Sequence, residues 1–284
     1  MNFKLKNINL VIFSDIDGTF LDHETFDEGK NFDILDTLIR CNHHFIFNSS
    51  KTFYEIKKLQ EKHNTTFPFI CETGGGIYHK DMDLDSFNQK RGGYNIMFES
   101  RRVDTFYNSV MREIDDGFRQ DLEIFNDINE TRKRRLTGLS GENLSLACKR
   151  DFSILIKWKS DEKRFKLFKS ALSTHGLTIV RGSRFCHICG HHNKGKALLH
   201  FLANLSSSRA STNFITVGIG DSDNDVDMLL NVDFPCVVRS PSNVGLAKKI
   251  GNRNLVQSKN HAPEGWEECV NGVFAKITSR SFSG

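Results

Sequence analysis

The chain has 284 residues, 38% of them hydrophobic with 24 phenylalanines, enough to bury one large core or two ordinary ones. Its net charge of +4 and pI near 8.6 suit an anionic small substrate and are too weak to argue for nucleic acid. No apolar stretch approaches the ~18 residues of a membrane span, no leader-type apolar region opens the chain, and seven scattered cysteines suit reduced thiols, so a cytoplasmic protein with no membrane partner is expected.

The first predicted element is a buried strand over 10–14, a short apolar run. It empties into Asp15-Ile-Asp17-Gly-Thr19. In an extended chain the i, i+2 spacing puts both carboxylates on one side, and Gly18 lets the chain leave the sheet sharply. Two acids so placed repel each other unless a proton or a cation lies between them. A hard divalent ion held by carboxylate oxygens satisfies them, and Mg²⁺ is the natural choice. Residues 32–40 show helical periodicity, with Ile34, Leu35, Leu38 and Ile39 on one face. A second apolar strand, 44–48, ends in Ser49-Ser50-Lys51-Thr52, which can cap a helix running to Lys62. The Ser49 hydroxyl with the first amides of that helix makes an anion site, or Ser49 is a plain N-cap. A third apolar run, 67–71, closes on Glu72-Thr-Gly-Gly-Gly76. Strand–helix–strand repetition of this kind implies a parallel sheet with covering helices.

From about residue 80 to residue 184 the charges are denser and mixed in sign. Amphipathic helices are predicted over 104–118 and 162–175, and strands over 152–158 and 177–181. An inserted domain is expected, dividing the chain into a first core part (1–82), an insert (83–187) and a second core part (188–284). The basic run from Arg132 to Arg135 reads as a solvated helix face or loop. Cys186-His-Ile-Cys189, followed by further histidines, admits a zinc or redox reading, but no second Cys/His pair sits at a matching distance.

The alternation resumes with a helix at 194–205, a strand at 214–218, a helix after Asp225 and a strand at 235–238. The strand at 214–218 runs into Gly218-Ile-Gly-Asp-Ser-Asp-Asn-Asp-Val-Asp227. That cluster could be a surface helix cap or a calcium-type loop. Two separate strands ending in carboxylates favour a site, because ligands of open α/β sheets bind outside the carboxyl ends of the strands. Lys194 opens a helix as either an exposed lysine or a fixed cation. Together the pieces offer two working carboxylates, a hydroxyl, a cation and a metal site, a set suited to phosphoryl transfer.

The order Asp15-x-Asp17-Gly-Thr, Ser49, Lys194, Gly220-Asp221-Ser-Asp-Asn224-Asp225 resembles the haloacid dehalogenase superfamily of phosphatases. Six further segments resemble its mannosyl-3-phosphoglycerate phosphatase family. They are Ser49-Ser-Lys-Thr52, Pro68-Phe-Ile-Cys-Glu-Thr-Gly-Gly-Gly-Ile-Tyr78, Arg150-Asp-Phe-Ser153, Gly182-Ser-Arg-Phe-Cys-His187, Asn193-Lys-Gly-Lys-Ala197 and Ala262-Pro-Glu-Gly-Trp266. The chain departs from that family where Thr73 replaces its usual Asn, and where Ile154 and Leu155 replace an acidic residue and a proline in a segment expected to read the substrate.

The resemblance implies an α/β fold, a Rossmann-like parallel-sheet core with an inserted α+β cap of the C2 type. It implies Mg²⁺-dependent hydrolysis of mannosyl-3-phosphoglycerate, or alternatively of glucosyl-3-phosphoglycerate or another sugar phosphate. Asp15 would be a nucleophile whose pKa Mg²⁺ and Lys194 keep low, and Asp17 the acid and base. Asp15, Asp17, Asp221 and Asp225 would surround the metal, with Asp17 using its carbonyl. Ser49, Lys194 and the Gly18 amide region would hold the phosphoryl group. Ser50, Lys51, Glu72, Gly74, Gly75 and Asn224 from the core, with Arg150, Ser153, Arg184 and His187 from the cap, would bind the rest of the substrate. Arg150 and Arg184 could instead make surface salt bridges. A phosphomutase and a binding module on an inactive hydrolase fold are the competing classes; a binding module has no need of Asp15, Asp17, Lys194 and Asp221 together.

Overall fold

The computed structural model describes residues 3, 5, 8–80, 89–182, 184–208, 214–241, 245–251 and 253–281. In chain order the elements are β1 (Asn9–Ser14), α1 (Asn31–Arg40), β2 (His44–Asn48), α2 (Phe53–Lys62), β3 (Phe69–Cys71), β4 (Gly76–His79), β5 (Lys90–Arg91) and β6 (Tyr94–Glu99). Then come α3 (Tyr107–Glu113), β7 (Leu122–Ile124), α4 (Glu130–Thr137), α5 (Gly141–Cys148), β8 (Ser153–Trp158), α6 (Glu162–Ser173), β9 (Thr178–Arg181) and β10 (Cys186–Cys189). The chain closes with α7 (Lys194–Ser208), β11 (Phe214–Gly220), α8 (Val226–Leu229), β12 (Phe234–Val237), α9 (Leu246–Ile250), β13 (Val256–Gln257) and α10 (Glu264–Ser281).

Nine strands make the large sheet, in the order β13-β12-β11-β1-β2-β3-β4-β6-β5. The first six are parallel, and β4, β6 and β5 run antiparallel at one edge. Alternate residues of β1 feed opposite layers, as a strand covered on both faces requires. Leu10 and Ile12 pack into a cluster with Leu35 and Leu38 of α1, Ile56 of α2, and Trp266 and Phe274 of α10. Val11 and Phe13 pack with Leu198 and Phe201 of α7 and with Met228 and Leu229 of α8. The large sheet is therefore the middle of a three-layer sandwich, and β1 is apolar from Leu10 to Phe13.

A second, antiparallel sheet has the order β7-β8-β10-β9. One face packs on α3 and α6, where Ile154, Ile156, Ile179 and Ile188 meet Phe106, Val110, Phe165 and Phe168. On the other face Leu155 packs with Phe125 and Leu144. This unit is the cap. The chain enters it after β6 and leaves it after β10. The expected boundary at 82/83 lies outside the described residues. Residues 90–99, which that division puts in the insert, instead lengthen the large sheet as β5 and β6, because β6 finds its hydrogen-bond partner in β4. The helix expected over 104–118 is broken into a 3₁₀ turn, α3 and a π turn at Ile114–Phe118. No helix among the described residues is long and apolar enough to cross a membrane.

Candidate active site

Three neighbouring parallel strands deliver the polar groups. β1 lies between β11 and β2, with Ser14 level with both Ile219 and Phe47. Asp15 follows Ser14 directly, and Ser49 and Asp221 lie two residues beyond Phe47 and Ile219, so positions remote in sequence meet at one sheet end. The Asp15 amide donates to the Ile219 carbonyl at 2.9 Å and the Ser49 amide to Ile70 at 3.0 Å, which fixes both backbones. Gly18 turns the chain at φ +77°, and a Cβ there would stand 2.9 Å from Asp221 Oδ2. Glycine is therefore required by conformation and by space.

Lys194 begins α7 and is fully buried. Its ammonium donates to Asp15 Oδ1 at 2.8 Å and to Asp225 Oδ1 at 2.6 Å. Buried Asn48 holds the Lys194 carbonyl at 3.0 Å. Burial alone would lower the lysine's pKa, but the two carboxylates outweigh it and raise it. The second oxygen of Asp225 accepts from the amides of Asp221 and Ser222, each at 3.0 Å. Asp15, Asp221 and Asp225 bring one ligand atom each within 4.8 Å of one another. Asp221 Oδ1 accepts from Thr19 Oγ1 at 3.3 Å, whereas buried Oδ2 has no donor within hydrogen-bond distance among the described residues. Burial, then Asp225 and Asp15, push the Asp221 pKa well above its ordinary value. Burial and then Asp225 raise Asp15 to about 6, against the opposing pull of Lys194. Without a metal, desolvation exceeds the lysine's effect, so the low Asp15 pKa that the resemblance implies would rest on the bound ion.

Three carboxylates facing one ammonium, with an orphaned carboxylate oxygen among them, fit a small divalent cation. Asp17 does not belong to that cluster by its side chain. Its Oδ2 pairs with Lys51 Nζ at 2.9 Å, and its buried Oδ1 has no hydrogen-bond partner among the described residues. Both Asp225 oxygens are engaged, so its first role is to place Lys194 and the 221–222 backbone.

Above these groups lies a cavity of about 90 Å³ between core and cap. Asp15, Asp17, Ser50, Lys51, Asn224, Arg150, Arg184 and His187 line it. Ser49 and Lys194 lie below it, buried. The N-cap of α2 falls to Thr52, whose hydroxyl and Glu55 form a capping box. Ser49 Oγ instead accepts from the Lys51 amide at 3.2 Å. Glu72, Gly74, Gly75 and Ser153 do not line the cavity. The Glu72 carboxylate accepts from the Asp151 and Phe152 amides at 2.8 and 3.0 Å and from Ser153 Oγ at 2.8 Å, so it anchors a cap segment to the core. A Cβ at Gly74 would lie 2.4 Å from the Asn193 carbonyl oxygen, and at Gly75 2.5 Å from Phe152 Cβ, so both glycines serve close packing. Arg150 donates to the Ser50 carbonyl at 2.8 Å and to Ser153 Oγ at 3.0 Å.

His187 and Leu155 are cross-strand partners, and both reach the cavity. Burial, then Arg150 and Lys194, keep the His187 pKa well below its ordinary value. Ile154 points the other way, into the cap's own core. Of the three residues that depart from the family pattern, Leu155 alone lines this cavity. Cys186 and Cys189 are free thiols three apart on one strand, hence on opposite sheet faces, which disfavours a shared metal. Burial raises Cys189 to about 12.

Sequence reasoning missed His23, Phe26, Glu55, Phe125, Thr137, Leu139, Ala147, Phe185 and Ser222, all of which line the cavity. Only the Asp22-His-Glu-Thr25 loop carries a local signal, since Asp22 Oδ1 accepts from the Glu24 and Thr25 amides at 2.9 and 2.7 Å. Glu55 belongs to the Thr52 capping box and Ser222 to the acidic loop, and the rest are ordinary apolar or turn residues.

A buried lysine clamped between acids at the carboxyl end of a parallel sheet, beneath a cap that closes on it, marks a hydrolase of phosphate esters. The comparisons sharpen this class. The family model for haloacid dehalogenase-like hydrolases matches residues 12–246, and the chain belongs to that family. It is 28% identical to a glucosyl-3-phosphoglycerate/mannosyl-3-phosphoglycerate phosphatase of Methanococcoides burtonii, over 94% of this chain and 97% of that one. A protein of the same name from Persephonella marina is 27% identical, over 94% and 98%. A solved structure from Streptococcus mutans superposes with a TM-score of 0.65 at 16% identity, covering 95% and 99% of the two chains. The protein is a phosphoric monoester hydrolase of this fold.

Proposed function

We propose that the protein is a Mg²⁺-dependent phosphatase that cleaves mannosyl-3-phosphoglycerate to mannosylglycerate and phosphate, with the glucosyl ester as the alternative substrate. The observation that carries it is the cluster of Asp15, Asp221 and Asp225 around one buried lysine, which leaves two formal negative charges for a divalent ion to balance. The names of the two relatives support the substrate class.

Asp15 and Asp221 would hold the ion, with Asp225 behind them. When bound, it would neutralise phosphoryl charge and orient the ester. An Asp15 oxygen attacks phosphorus, and the ester oxygen leaves with a proton from Asp17, giving an aspartyl-phosphate. Water then attacks that phosphorus and yields its proton to Asp17, which frees phosphate and restores Asp15. Lys194 holds Asp15 in aim at 2.8 Å and carries charge to the phosphoryl oxygens. Ser49 and the Gly18 turn cradle those oxygens. Lys51 stands beside Asp17, on the leaving-group side. The cap, taken as the insert between β6 and β10, excludes water and selects the glycoside.

The test is phosphate release from a panel of glycosyl phosphoglycerates and sugar phosphates, with Mg²⁺ and with chelator. Hydrolysis of other sugar phosphates but not of either glycosyl phosphoglycerate would remove the substrate and keep the reaction. Phosphoryl groups recovered on sugar, in place of inorganic phosphate carrying one oxygen from labelled water, would replace hydrolysis by transfer.

A further inference from the structure

Arg184 lies on the cap between β9 and β10, at the cavity wall. Its Nε donates to His23 Nε2 at 3.1 Å. One terminal nitrogen donates to the His23 carbonyl and the other to the Thr137 carbonyl. The guanidinium also sits 5.6 Å from the Phe26 ring centre. One side chain thus joins the 22–27 loop of the core, the end of α4 and the approach to β10. Both carbonyl acceptors belong to fixed backbone. The 22–27 loop is closed by the Asp22 amide on the Asp27 carbonyl at 2.8 Å, and α4 ends in a left-handed Gly138 at φ +74°. A planar fork with separated donors matches such acceptors, and a lysine cannot reach three at once.

The place of this contact gives it leverage. The chain crosses between core and cap near Ser100 and again near His192, and these crossings are tied by His192 Nδ1 at 2.7 Å from Ser100 Oγ. Arg184 stands at the other end of β10, on the order of 15 Å along the strand from that hinge. A small rotation at the hinge moves the Arg184 end most, so a contact there is made only when the cap is down.

We infer that Arg184 is a positioning residue, a clasp that holds the cap closed over the core by gripping the His23 carbonyl and ring, its guanidinium steadied from the cap side by the Thr137 carbonyl, rather than a reader of the substrate. The inference does not depend on which phosphate ester is cleaved.

The experiment compares wild type with Arg184→Met, Arg184→Lys and His23→Ala in the full chain. Amide hydrogen exchange is measured without ligand, and kcat and KM are measured for p-nitrophenyl phosphate and for glucosyl-3-phosphoglycerate. Both arginine variants should exchange faster at 22–27 and 134–139 while β1 and β11 stay protected. They should lose about tenfold in kcat/KM on the large ester and little on the small one, since only the large one needs the cap wall. His23→Ala, which keeps its carbonyl, should show the same pattern more weakly. Unchanged exchange with a loss confined to carboxylate-bearing esters would overturn the clasp and make Arg184 a substrate contact. Equal losses on both esters with normal exchange would also overturn it.

Discussion

The core side of the cavity is made of ionic side chains that hold one another, whereas the cap side is mostly carbon. Lys194 joins Asp15 and Asp225, and Lys51 separately joins Asp17, by contacts between 2.6 and 2.9 Å. Across from them stand Leu155, Phe125, Leu139 and Phe185, and the two arginines on that side end on backbone carbonyls. Charge geometry tolerates little change, since breaking one partner leaves another buried and unpaired. Apolar walls give way by degrees. Reaction type is therefore expected to reside on the core side and substrate preference on the cap side.

The largest effect should come from Asp15→Asn, which keeps size and fold but removes the attacking oxygen. Turnover should drop by about 10⁴-fold or more with an unchanged circular dichroism spectrum. Retained turnover would take Asp15 out of the nucleophile role. Next is Lys194→Met, which leaves Asp15 and Asp225 buried without their cation. It should abolish turnover and destabilise the fold by roughly 3–5 kcal/mol in denaturant titration. Adding Asp225→Asn should recover part of the stability and none of the activity. Recovery of activity would make Lys194 purely structural.

Mg²⁺ should show itself without any substrate. Burial raises the Asp15 carboxyl to about 6 in the folded protein, above its ordinary 3.8. A raised carboxyl supports the fold fully below the unfolded value and withdraws that support as pH climbs through the folded one. The metal-free protein should therefore lose thermal stability between about pH 4 and pH 6 from this group, and a bound cation should offset the loss. The Tm gain on adding Mg²⁺ should be larger near pH 7.5 than near pH 5, by calorimetry. An equal gain at both would separate the ion from these carboxylates. The smallest effect belongs to the cap wall. Leu155→Ala should change the ratio of kcat/KM between mannosyl and glucosyl esters by about tenfold or less, while turnover of p-nitrophenyl phosphate holds. Ile154→Val, on the far face, should leave that ratio alone.

The sequence by itself determined the parallel core and its catalytic corner. An apolar strand that ends in two acids, a second that ends in serine and a third that ends in an acidic loop are local patterns, and a parallel sheet must bring their ends to one edge. Only the tertiary structure decided how the polar groups divide the labour. Asp17 turns to Lys51, Glu72 anchors the cap, and Thr52 takes the helix cap that the sequence also offers to Ser49. Only the fold, too, put Phe125, Leu139 and Phe185 into the cavity wall, and chose Leu155 over Ile154 to face it. The reason is physical. Strand ends carry their chemistry in neighbouring residues, whereas a cap wall is assembled from separate turns and one face of a sheet, and its apolar residues read in sequence like any other core.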